Sequence, residues 1–252
     1  MRLPLTPLDW TALSIFLVAW IAYEPLLKAA SRGRGLINTD MTIIRMAWMQ
    51  NMARRENRFM DGQLLGLTLS SNSFFASSNL ILIAAAAGAL FGGERSFQSA
   101  SSLIVVKTSS RVLFELQIGL VVLTLARGLL AFIWSIRQVN YLLAVIGAAP
   151  DTEDPKFETA YGDASARLLN PALSAANAGV RGYYFALAAA AWLFGPWAFM
   201  AATLGAVALL VWRQRRSPAA GAVADLRHLL EGLKAQVGAH AGVPKAKDEN
   251  PF

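Results

Sequence analysis

The sequence predicts an all-α fold, a polytopic transmembrane helical bundle with cytoplasmic amphipathic helices, and three observations carry that prediction. Four long apolar stretches punctuate the chain, positive charge is concentrated between them, and only 15% of the 252 residues are charged while 55% are hydrophobic. So oily a composition needs a bilayer or a very large core to cover it, and stretches of this length fit the bilayer. The formal net charge of +7 lies in Lys and Arg beside the apolar stretches. There it sets orientation against anionic lipid at the cytoplasmic face, so nucleic acid is not an expected partner. Cysteine is absent and the two histidines, His228 and His240, fall in the tail. Disulfides, thiolate nucleophiles and Cys-ligated metals are thereby excluded, and no cofactor or metal is expected.

Residues 8–27, 67–91, 112–136 and 182–212 each have the length a transmembrane helix needs at about 1.5 Å per residue across roughly 30 Å. Arg2 precedes the first, but no small-x-small cleavage site follows and Glu24-Pro25 interrupts it, so it reads as an uncleaved span. The fourth would be about 46 Å long as one helix. It carries Gly195-Pro196 near its middle, and a kinked helix or a hairpin answers to that break. Lys28, Arg32, Arg34, Arg45, Arg54, Arg55 and Arg58 lie between the first two spans, against Arg95, Lys107 and Arg111 between the next two. Basic loops stay in the cytoplasm, so the N-terminus is expected outside and the C-terminus inside, in a bacterial inner (plasma) membrane.

With that start, a single last crossing would export Arg213, Arg215 and Arg216, whereas a hairpin keeps them inside. Five crossings are favoured over four. The first arm of the hairpin is short, which Asn170-Pro171 eases by reading as an N-cap and N1 proline. Residues 1–216 form the transmembrane domain and 217–252 a cytoplasmic tail, part amphipathic helix and part disordered over its last dozen residues.

Met41, Ile44, Trp48, Met52 and Phe59 recur at helical spacing among Arg45, Arg54, Arg55 and Arg58. Asp40 or Thr39 would cap this helix. It reads as an interfacial helix with Trp at the headgroups and basic groups near phosphates, or as a helix packed on the protein's own loops. Phe157, Tyr161, Ala164 and Leu168 trace a short soluble helix, and Val223, Leu226, Leu229, Leu230, Leu233 and Val237 line one side of a tail helix.

Arg127 falls inside the third span, where an arginine costs roughly 3 kcal/mol without partners or water. Glu24 lies about 24 Å and Arg127 about 22 Å from the outer ends of their spans, so an ion pair between them is expected. Asn72 lies at comparable depth and Asn79 somewhat shallower, completing an intramembrane polar cluster that locks helices together or lines a solute path. Arg111 and Glu115 form an i,i+4 pair at the outer end of the third span. Thr68, Ser70, Ser71, Ser73, Ser77 and Ser78, followed by four alanines and Gly88-x-x-x-Gly92, place the second span centrally or at an oligomer contact. No phosphate-cradling loop, His-Glu-x-x-His or Gly-x-Ser-x-Gly is present. Asp9, Glu24 and Glu115 are the carboxylates left for catalysis, which is not expected.

Several segments carry a family resemblance. Arg45-Met46-Ala47-Trp48 looks like an Arg-x-x-Trp of the first cytoplasmic loop, and Thr68-Leu69-Ser70-Ser71-Asn72 like a Thr-Leu-Arg-Asn-Asn opening the second span. Arg137-Gln138-Val139-Asn140-Tyr141 is similar to the end of the third span. Arg181-Gly182-Tyr183-Tyr184-Phe185 and Trp192-Leu193-Phe194-Gly195-Pro196 match a closing aromatic block, the most specific part. Together they resemble an uncharacterised bacterial and plant integral-membrane family catalogued as domain of unknown function, family 599. Ser70 and Ser71 replace that family's arginine and one asparagine, and the resemblance implies no activity. The expected role is a non-catalytic membrane scaffold or assembly partner, as a homo-oligomer or with another membrane protein. The alternative is a small-solute or ion transporter built around the polar cluster.

Overall fold

The computed structural model describes residues 5–30, 35–108 and 110–241, and no strand occurs among them. Helix α1 (Pro7–Ala30) opens on a reciprocal cap: the Asp9 amide donates to Thr6 Oγ1 at 3.2 Å and the Thr6 amide to Asp9 Oδ2 at 3.0 Å. Then come α2 (Ile37–Ala53), α3 (Phe59–Phe91), α4 (Gly93–Ser101), α5 (Arg111–Gly147), α6 (Pro155–Ala190), α7 (Pro196–Arg215) and α8 (Pro218–Ala241). Four segments, 7–27, 59–91, 111–147 and 196–233, are long and apolar enough to cross a membrane. Residues 242–252 of the tail expected to be disordered, and the side chains of Lys28, Arg32 and Arg34, lie outside the described residues.

Helix α6 corrects one reading of the sequence. Asp154, not Asn170, is its N-cap, accepting from the Lys156 amide at 3.0 Å, with Pro155 in the first turn. Pro171 lies inside the helix. The short helix expected over 150–170 and the first arm of the hairpin are therefore one element of 36 residues, about 54 Å long. An internal proline removes one backbone bond, a loss that packing against neighbouring helices offsets.

After α6, one 3₁₀ turn (Ala191–Phe194) leads to Gly195 at φ 104°, ψ 167°, and Pro196 starts α7. The Gly-Pro break is a hairpin, because the positive φ that reverses the chain suits glycine and the next residue's fixed φ suits a first turn. Between α7 and α8 the chain kinks at 216–217, where Ser217 Oγ accepts from the Ala220 amide at 3.2 Å.

Long-range bonds define two ends. At one, Trp192 Nε1 donates to Asp9 Oδ1 at 2.9 Å and the Lys107 amide to the Leu193 carbonyl at 2.9 Å. At the other, the Asn38 amide donates to Gln214 Oε1 at 3.3 Å, Arg227 pairs with Asp40 at 2.9 Å, and Arg58 with Asp151 at 3.0 Å. Helices α1, α3, α5, α6 and α7 run between these ends.

The closest packing is of α5 on α6, α3 on α5 and α2 on α6, followed equally by α1 on α7 and α2 on α8. Glycines set it. A Cβ on Gly182 would lie 3.1 Å from Gly128 Cα, and one on Gly162 2.5 Å from Gln50 Cα, so backbones approach where side chains are missing. Helix α3 packs on α5 at the periphery and leaves Ser70, Ser71, Ser73 and Ser77 exposed. It is not central to the bundle.

Buried apolar side chains form two clusters. One gathers Phe16, Leu113, Leu120, Phe185, Trp192 and Phe199; the other gathers Met49, Met52, Leu65, Val139, Leu142 and Leu169. Along α5 and α6 the stretches around 127–131 and 177–182 lie between them, and Arg127, exposed, and Asn177 and Arg181, half-buried, fall there.

Candidate functional site

Glu24 on α1, Arg127 on α5 and Arg181 on α6 line a cavity of about 450 Å³ with Trp20, Tyr23 and Thr124. The α1 helix packs most closely on α7 and is not among the close partners of α5 or α6. That spacing opens a cleft which these long side chains partly fill. The structure corrects the expected Glu24–Arg127 ion pair. Arg181 holds Glu24, its Nη2 standing 2.5 Å from Oε2, while the Arg127 guanidinium lies 5.0 Å over the Trp20 ring. Depth alone matched Arg127 to Glu24; facing direction gave the carboxylate to α6. The cation–π contact favours the charge of Arg127 without neutralising it.

A second cavity, of about 390 Å³, adjoins the first at Glu24 and is lined by Asn38 and Arg45 from α2 and Asn170, Ser174 and Asn177 from α6. Asn177 Nδ2 donates to Asn38 Oδ1 at 3.1 Å, clamping α6 to α2. Arg45 is 9% exposed, its Nε has no hydrogen-bond partner, and no ion pair includes it among the described residues. Burial pushes its guanidinium below the ordinary arginine value, yet arginine stays protonated under any physiological condition. The Asn170 Oδ1 atom is buried and unpartnered as well.

The remaining members of the expected polar cluster stand elsewhere. Asn72 donates to Ser135 Oγ at 2.9 Å, and that hydroxyl donates to the Ala172 carbonyl at 2.7 Å, a relay joining α3, α5 and α6. Asn79 donates to the Leu125 carbonyl at 3.0 Å. Both amides fasten α3 to α5 and neither lines the cavities. Trp48 Nε1 of α2 and Arg55 Nη1 of the turn that follows it both donate to the buried Asp61 Oδ1, at 2.6 and 2.7 Å. Arg54 reaches Glu158 at 3.7 Å, and Arg58 bonds the Ala149 and Pro150 carbonyls at 3.0 and 3.1 Å. Of the two readings for this helix, packing on the protein's own elements accounts for these contacts.

Arg181 and the burial of Arg45 are the features that the sequence alone did not reveal. Arg181 stands just before the last apolar stretch, and it moves inside the bundle once α6 is seen to begin at Pro155. The Thr6-x-x-Asp9 box was a legible signal for the cap that also seats Trp192. Glu115 accepts from Arg111 Nε at 2.7 Å, the expected i,i+4 pair. Among the described residues no group of three His, Cys, Asp or Glu side chains is placed to hold a metal ion.

No curated protein and no solved structure matches the chain. The family model described as "Protein of unknown function, DUF599" matches residues 11–219. That span runs from within α1 through α7 to the start of α8, so the chain belongs to this family, and its fold is that of a membrane-associated helical bundle.

Proposed function

We propose that the chain is a non-catalytic integral membrane protein of the bacterial inner membrane, crossing it five times, that binds and passes a small anionic solute through the cavity between α1, α5 and α6. The observation that carries this reading is the pair of arginines, Arg127 and Arg181, facing one cavity against the single carboxylate of Glu24. A cavity with excess positive charge, open on the side where Arg127 is exposed, attracts anions, and charged side chains within membrane spans mark solute and ion paths. Against catalysis, the carboxylates are engaged: Asp9 by Thr6 and Trp192, Glu24 by Arg181, Glu115 by Arg111.

The five-crossing topology is supported by the two ends of the bundle. Asp9 and the 191–195 turn share one end, whereas α2, Gln214 and Arg227 share the other with Arg54, Arg55 and Arg58. The basic end is cytoplasmic by the positive-inside rule. The transport reading is tested by currents from reconstituted liposomes driven by phosphate, sulfate and small carboxylate gradients. A current that falls in both Arg127→Gln and Arg181→Gln supports it; no current from any of these anions with the wild-type protein sinks it.

A scaffold role is the second reading, favoured by α8. Leu226, Leu229 and Leu233 are exposed along that helix while Arg227 ties it to α2, so a bound partner or the membrane surface would cover them. The exposed serines of α3 support a contact with a second copy, because lipid offers hydroxyls no partner. If polar replacement of the three leucines abolishes function and removal of Arg127 does not, the scaffold reading takes the lead.

A further inference from the structure

We propose that the chamber lined by Arg45, Asn38, Asn170, Ser174 and Asn177 binds a phosphate group, held by the Arg45 guanidinium. A buried charge without a counterion is costly, and a buried arginine is ordinarily paired. Every other buried or half-buried arginine among the described residues is held by oxygen: Arg58 by Asp151 and three carbonyls, Arg227 by Asp40, Arg181 by Glu24. Arg45 alone among these has neither hydrogen bond nor ion pair, and it lines a cavity of about 390 Å³.

The lining suits an oxyanion. Ser174 offers a hydroxyl, and Asn38 offers the amide nitrogen left over when its oxygen accepts from Asn177. The buried Asn170 amide, unpartnered at its oxygen, presents an NH₂ group instead when the amide is turned over. Glu24 is the one carboxylate on the wall and is already engaged by Arg181. Water would satisfy Nε but leave the charge. A tetrahedral phosphate satisfies both, since the planar guanidinium fork matches two of its oxygens. The space admits such a group with several waters, each taking about 30 Å³.

The chamber lies at the end of the bundle read as cytoplasmic, where both lipid headgroups and soluble phosphates are found. The inference deepens the anion-binding reading and rests on it in that the two cavities meet at Glu24. It is tested separately with full-length protein in nanodiscs. Radiolabelled inorganic phosphate is measured in phosphatidylcholine discs, and retained phosphatidylglycerol by native mass spectrometry from mixed discs. The comparison is of wild type, Arg45→Gln, Arg45→Lys and, as a surface control, Arg216→Gln.

The expected result is phosphate or phosphatidylglycerol bound by wild type and weakened about tenfold or more in Arg45→Gln. Arg45→Lys should recover part of it and Arg216→Gln should match wild type. Retention of the inorganic ion assigns a free solute, and retention of the lipid alone a headgroup. Equal binding by Arg45→Gln and wild type overturns the proposal. Should that variant fail to assemble, the wild type decides: no thermal stabilisation by phosphate over chloride at equal ionic strength, and none by phosphatidylglycerol, also overturns it. Loss of anion currents with phosphate binding intact would overturn the transport reading and leave this one standing.

Discussion

Arg127 and Arg181 face the same cavity but are held in different ways, and their removal should have different consequences. The Arg127 contact with Trp20 is a cation–π interaction at 5.0 Å, so Trp20→Leu is expected to lower stability by about 1 kcal/mol. Replacing Glu24 by Gln leaves Arg181, 15% exposed, without the carboxylate that it grips at 2.5 Å. A loss of about 2 kcal/mol is expected, less than for a fully buried pair because water reaches Glu24. Thermal unfolding in detergent measures both, and the double variant Glu24→Gln, Arg181→Gln should recover part of the second loss. An unchanged melting temperature in Glu24→Gln would remove the pairing from any structural account. These charges were legible in the sequence in part. Glu24 and Arg127 stood out as ions in apolar runs, but Arg181 did not, because its neighbourhood is only half apolar and its burial comes from the packing of α6 on α5, with Glu24 of α1 reaching across to it.

At the scale of elements, glycines decide which helices touch. A Cβ on Gly162 would stand 2.5 Å from Gln50 Cα and 2.8 Å from its amide nitrogen, all backbone, so Gly162→Ala must push α2 from α6. A loss of about 2 kcal/mol is expected, whereas Gly66→Ala, with nothing within 4 Å of its Cβ, should be neutral or stabilising. Gly195→Ala places a side chain at φ 104° and should cost about 1 to 3 kcal/mol, read as a lower melting temperature of the α6–α7 hairpin. Ser135→Ala cuts the relay from Asn72 to the Ala172 carbonyl and should cost about 1 kcal/mol, the usual size of a polar contact between membrane helices. The apolar segments and the Gly195-Pro196 break were readable because length, hydropathy and local φ preference are properties of a short stretch. The start of α6 was misread because Asn170-Pro171 and Asp154-Pro155 carry the same cap signal, and only packing against α5 along its whole length distinguishes them.

For the whole molecule, the absence of cysteine makes single-cysteine labelling a clean test of orientation. Ser99→Cys should react with a membrane-impermeant maleimide in intact cells, and Glu153→Cys and Ser217→Cys only after permeabilisation. Labelling of Ser217→Cys from outside would replace the proposed five-crossing topology by one with four crossings. The sequence by itself determined that this is a helical membrane protein and which residues break or begin most of its helices. It also determined that the basic residues crowd towards one end, because each of these follows from composition along a local run of chain. What only the tertiary structure decided is who meets whom: Arg181 and not Arg127 at Glu24, Asn72 and Asn79 in the α3–α5 contact, Arg45 facing a chamber without an ion pair among the described residues. Helix rotation and the close approach of α5 to α6 set those meetings. Both depend on the summed packing of residues far apart in the chain, which no local pattern encodes.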